Sequence, residues 1–196
     1  MTDRLRSPLL ARAALLALVF LLAAGLSQRA SAQEGEVVPA PEARPSPTAI
    51  AQAMLGDTYV KITYSSPRKR GREIFGKLVP YDEVWRTGAN EATEITVTGD
   101  VRIAGHTLPA GTYALFTIPH ADSWTVILNS DLGQWGAFSY NPEHDVLRFD
   151  VPVTTTPEMY EAFTIALEKE EDAPKAHLVM MWDHTKVSIP LEPAGG

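Results

Sequence analysis

From Tyr113 to Ile118 the chain is apolar on both parities: Tyr113 and Leu115 one way, Ala114, Phe116 and Ile118 the other. Successive side chains of a strand point to opposite faces, so a strand apolar on both is covered on both. The stretch therefore predicts a central strand with a layer on each side. The segments before it supply neighbours. Ile95 and Val97 share one face, with Thr96 and Thr98 on the other, and Val101 and Ile103 continue the odd-numbered apolar positions. Gly99-Asp100 between them is a hairpin signal, because Gly takes φ > 0 at little cost. In Leu108-Pro-Ala-Gly-Thr-Tyr113 a Tyr follows two residues after a Gly, the pattern of a tyrosine corner, where the hydroxyl bonds to backbone a few residues upstream.

The same alternation recurs on either side. Thr58–Tyr64 places Val60, Ile62 and Tyr64 together; Ile50–Leu55 before it reads as the other arm of a hairpin through Gly56-Asp57, although a short helix also fits. Beyond the central strand, four groups are expected to face inward: Trp124, Val126 and Leu128; Leu147, Phe149 and Val151; Phe163, Ile165 and Leu167; and Leu178, Met180 and Trp182. Val187, Ile189 and Leu191 form a fifth. Ile74–Val79 reads as a short buried segment, and Pro80–Val84 as one helical turn with Pro near its start and acids in its first turn. Asn129–Asp145 is a long loop rich in aromatic and turn-forming residues, and Glu168–Asp172 is an acidic turn. The expectation is an all-β fold: an antiparallel β-sandwich, jelly-roll or Ig-like, of about nine or ten short strands.

The N-terminus reads differently. Arg4, Arg6 and Arg12 precede the apolar run Ala13–Leu26, and Ala30-Ser31-Ala32 has the small-x-small form of a cleavage site. Residues 1–32 are read as a signal peptide that is cleaved, too short in its apolar run for a stable membrane span; an uncleaved anchor is the alternative. Residues 33–47, with Pro39, Pro41, Pro45 and Pro47 among Glu and Ala, read as a Pro-rich linker, leaving 48–196 as the sandwich domain. The expected localisation is exported, periplasmic or secreted. There is no Cys, which excludes thiolate chemistry and disulfides. Residues 1–32 hold four of the 17 basic and one of the 24 acidic residues; without them the chain carries 13 and 23, a formal charge of −10. That charge argues against nucleic acid or an anionic membrane surface as a partner.

Four phrases resemble one family of exported bacterial proteins, catalogued as domain of unknown function 2911. They are Gly71-Arg-Glu-Ile-Phe-Gly-Lys-Leu-Val-Pro80 after Ser66-Pro67, Val84-Trp-Arg-Thr-Gly-Ala-Asn-Glu-Ala-Thr93, Leu108-Pro-Ala-Gly-Thr-Tyr-Ala-Leu-Phe116 and Gln134-Trp-Gly136. The likeness spans about residues 50–191, almost all of the expected domain. It implies an exported domain with no established activity and gives no catalytic residues to carry over.

The residues themselves offer three places for a site. Arg86, Asn90 and Glu91 put donors, an amide and a carboxylate in one polar loop between apolar anchors, where a rigid sheet would hold them; pairing of Arg86 with Glu91, and of Asn90 with loop backbone, is the structural alternative. Arg68, Lys69, Arg70 and Arg72 form a basic loop able to receive a carboxylate, sulfate or phosphate, or else a solvated charge run. Trp135, Phe138 and Tyr140 offer rings that stack on sugars or plug one end of the sandwich. The five His residues show no metal-ligand spacing and there is no G-x-S-x-G, so neither metal nor cofactor is expected. The leading reading is a non-enzymatic module of the cell envelope binding a small molecule, glycan or envelope protein through Arg72, Arg86, Asn90, Glu91, Trp135 and Tyr140. The alternative is a hydrolase acting on an envelope glycan or ester, with Glu91 as acid/base assisted by Arg86 or His144; it requires Glu91 in a pocket with a raised pKa. A purely structural module is the third reading.

Overall fold

The structure, a computed structural model, describes residues 42–195; the expected signal peptide, 1–32, and residues 33–41 of the expected linker lie outside the described residues. Nine strands form one antiparallel sheet: β1 (Thr48–Leu55), β2 (Thr58–Ser65), β3 (Thr93–Val97), β4 (Val101–Ile103), β5 (His106–Leu108), β6 (Gly111–Pro119), β7 (Ser123–Asn129), β8 (Asp145–Lys169) and β9 (Ala176–Pro193). Their order is β1-β2-β3-β6-β7-β8-β9-β4-β5. The only helical turn among the described residues is the 3₁₀ turn Pro142–His144. No described helix is long and apolar enough to cross a membrane.

One sheet becomes a sandwich because β8 serves both layers. Its first part, Asp145–Pro152, pairs with β7, and Val153–Lys169 pairs with β9. Within the second part the register shifts at Thr155/Tyr160 and Tyr160/Thr164. Such bulges bend a strand, and Pro157, with no N–H to give a ladder, falls inside the interrupted stretch. The other side is laced together after β2: Phe163 N–H donates to Pro67 O at 2.8 Å and Lys69 N–H to Glu161 O at 2.6 Å. Between the layers lies the main core, in which each inward group expected from alternation contributes buried side chains, Leu147 and Leu167 being only partly buried.

β6 is covered on both faces. Tyr113 and Leu115 belong to the main core, whereas Ala114 and Phe116 join Ile127 and Ala92 in a second, smaller one. Val84, Ile118, Ala137 and Tyr140 pack against that second core, so residues from the long loop roof the outer face of the sheet. The tyrosine corner is present: the Tyr113 hydroxyl donates to Pro109 O at 3.0 Å. A Cβ on Gly111 would lie 3.0 Å from that hydroxyl, so the ring folds back over a residue that has to lack one. Tyr113→Phe is expected to cost about 1 kcal/mol in urea denaturation with an unchanged m-value, the worth of one net hydrogen bond.

Three sequence expectations are corrected. Residues 146–152 and 163–167, read as separate strands, are parts of the single β8, and 176–182 and 186–191 are parts of the single β9, which bends at Asp183 with φ of 55°. β4 turns back on β5 through Ala104 (φ 48°) and Gly105 (φ 83°), and β6 starts after a break at 109–110. Pro80–Val84 is not helical: Asp82 adopts φ of 64° and its N–H is drawn to Pro119 O at 2.9 Å, at the end of β6. At the start of the described residues, Ser66 N–H bonds to Pro47 O at 2.9 Å and the Asn90 amide to Ser46 O at 3.2 Å.

Candidate functional site

The loop from Trp85 to Ala92 is fixed at both ends. Trp85 exchanges backbone hydrogen bonds with Thr117 of β6 at 2.7 and 2.9 Å, and its buried ring stacks on Trp182, 6.0 Å between centroids and 17° between planes. Phe163, Trp124 and Phe75 meet the same ring edge-on at 5.1, 5.9 and 6.1 Å. Each such pair adds on the order of 0.5–1.5 kcal/mol beyond its buried area. The loop then turns sharply through Thr87 (φ 54°), Gly88 (φ 155°) and Asn90 (φ 57°). Gly88 lies so close to β2 that a Cβ would sit 2.8 Å from Ser65 O. A β-branched Thr with positive φ is an outlier that costs about 1–2 kcal/mol and persists only where its surroundings impose it. Thr87 is fully buried, its hydroxyl 3.1 Å from that of Thr117, and its carbonyl accepts from the Thr93 hydroxyl at 2.6 Å.

Beside this loop opens a cleft of about 410 Å³. Arg72, Arg86 and Asn90 line it, with the buried rings of Trp85 and Trp182 as its inner wall and Leu78–Val84 along one side. Among the described residues, six non-glycine residues have positive φ: Arg70, Asp82, Thr87, Asn90, Ala104 and Asp183. All except Ala104 either line the cleft or lie within two residues of one that does. Strained backbone gathers at functional sites, and here it surrounds a single cavity.

Arg86 is the unusual group. It is half-buried, its Nε is shut away from water, and that atom has no hydrogen-bond partner. Among the described residues no acid forms an ion pair with it. Burial alone pushes its pKa below the ordinary guanidinium value. An unmet buried donor costs about 1–3 kcal/mol, so this charge is held where the fold gains nothing from it. Arg72 is less free: its Nε donates to Lys69 O at 3.0 Å and its Nη2 to Arg68 O at 2.6 Å. Asn90 spends its amide N–H groups on Ser46 O and the Ser65 hydroxyl, both at 3.2 Å. The rest of the basic loop is structural: Lys69 pairs with Asp183 at 2.5 Å, and Arg70 reaches Pro45 O at 3.1 Å.

The other expected site residues lie elsewhere. The two loops do run side by side, Ala92 N–H donating to Gln134 O and Gly136 N–H to Asn90 O, both at 2.9 Å. Yet neither Trp135 nor Tyr140 lines the cleft. Trp135 is an exposed ring, whereas Tyr140 packs edge-on against Phe116 at 5.2 Å and donates to Asp145 at 2.7 Å. Glu91 faces a neighbouring hollow of about 340 Å³ and meets Arg44, not Arg86, at 2.7 and 2.8 Å. The Arg44 contact holds its carboxyl below the ordinary range, opposite to what an acid/base role requires. His144 pairs with Asp131 at 2.5 Å. The cleft residues that sequence reasoning missed are Ser46, Leu78, Glu83 and Trp182. Only Leu78 and Glu83, a few positions ahead of Arg86, left a local signal.

Tyr140 also sets a pH limit. Burial, the Asp145 hydrogen bond and its charge raise the phenol to about 12, and burial raises Tyr64 and Tyr113 as well. A folded-state pKa above the unfolded value gives stability that is full below pH ~10 and is lost as pH climbs through the folded pKa. Urea midpoints are therefore expected to fall between pH ~10 and ~12, and Tyr140→Phe to make that fall shallower. An equally steep fall in the variant contradicts this assignment.

No curated protein and no solved structure matches the chain. A family model, "Protein of unknown function (DUF2911)", matches residues 46–191, spanning the strands and the cleft, and the chain belongs to that family.

Proposed function

We propose that this is an exported binding module whose ligand presents an anionic group to Arg86. One observation carries the reading: a half-buried guanidinium that the fold leaves without an acid lines a cleft ringed by strained backbone. A carboxylate from outside would supply the missing partner, and charge-assisted bonds to Arg are about twice as strong as neutral ones. The hydrolase alternative has no support in the position of Glu91, which is half-buried, paired with Arg44 and outside the cleft.

The test is an NMR titration of the full chain with acetate. Saturable shifts at Arg86, Gly88 and Asn90 are expected, lost in Arg86→Met and retained in Glu91→Gln. Shifts that survive Arg86→Met, or none at all, would overturn the proposal.

A further inference from the structure

The chemistry of the cleft narrows the ligand, and this step rests on the anion-binding reading above. We infer that the cleft takes a small amphipathic monocarboxylate: one carboxylate at Arg86 and a short apolar body along Leu78, Val79, Pro80 and Val84. Three observations point the same way. First, the charged groups on the cleft sum to a single positive charge. Arg72 and Arg86 are cations, Arg72 with its Nε and Nη2 committed to backbone carbonyls, and Glu83 is an exposed carboxylate with no ion pair among the described residues. With a formal charge of −7 on the whole chain, that arrangement repels a dianion and tolerates a monoanion.

Second, part of the cleft lining is apolar and uncovered. Leu78 is 42 % exposed, an aliphatic side chain that the protein only partly packs. The buried indoles of Trp85 and Trp182 also line the cleft. Third, the volume is modest. About 410 Å³ lies near the small end of ligand sites, which suits a carboxylate with a body of about ten heavy atoms.

The experiment compares acetate, hexanoate, hexanamide and inorganic phosphate by NMR titration of the full chain. Each fully buried methylene strengthens binding about fourfold. Hexanoate is therefore expected to bind at least tenfold more tightly than acetate, with hexanamide and phosphate both weaker than acetate. Leu78→Ser, a surface change, should reduce the hexanoate-to-acetate ratio at least threefold. If acetate binds through Arg86 but the ratio is under tenfold, or phosphate or hexanamide binds as well as acetate, the amphipathic class is wrong and the anion site stands. A ratio that Leu78→Ser lowers less than threefold rejects the assigned wall. If none of the four binds, both readings fall.

Discussion

Phe116→Ala is expected to cost about 3–5 kcal/mol and its neighbour Leu115→Ala about 2–5 kcal/mol, both read from urea denaturation. Adjacent strand residues point to opposite faces, so in a sheet with one wet side the two values would differ sharply. Here both side chains are fully buried, Leu115 in the main core and Phe116 in the smaller one formed with Ile127, Ala92 and Tyr140. Removing either leaves a cavity lined by β-strand neighbours that cannot collapse into it. The two changes should also be nearly additive, since they empty different cores. A cost under about 1 kcal/mol for Phe116→Ala would mean that the long loop does not cover the outer face.

Arg86→Met is expected to move stability and binding in opposite directions. Met fills the side chain as far as the Nε position and removes a buried donor that nothing accepts from, so the midpoint should rise by an amount worth about 1 kcal/mol. Carboxylate binding should weaken at least thirtyfold, as expected when one partner of a desolvated charge pair is removed. A structural arginine would behave otherwise: its loss would lower stability and leave ligands unaffected. Measuring melting temperature and affinity on the same variant separates these cases.

The alternation of β2, β3, β6 and β7 was legible because a strand writes its two faces into neighbouring residues. So was the Tyr113 corner, which needs only the spacing of Gly111 and Tyr113. The β4–β5 hairpin was not: its turn begins with Ala104 at φ 48°, a conformation that Ala does not advertise. Nor was the continuity of β8, because Pro157 reads as a stop unless the bulged stretch it sits in frees it from pairing. For the site, Arg86 stood out as a polar residue beside a core Trp. What the sequence could not give was its solitude. Glu91 is five positions away yet is taken by Arg44, 47 positions away, and Trp182 comes from the far end of the chain to close the inner wall. Such pairings are decided by the fold, not by local order.

The central claim is that Arg86 stands in the folded protein as a charge awaiting a partner. The most direct measurement is the ¹H–¹⁵N resonances of the Arg86 guanidinium, assigned by comparison with Arg86→Met and followed as acetate is added. The account predicts free-arginine-like shifts for its terminal nitrogens without acetate, moving saturably as the carboxylate binds. Resonances already shifted as in a carboxylate-bound guanidinium before addition, and unmoved by it, would contradict the account.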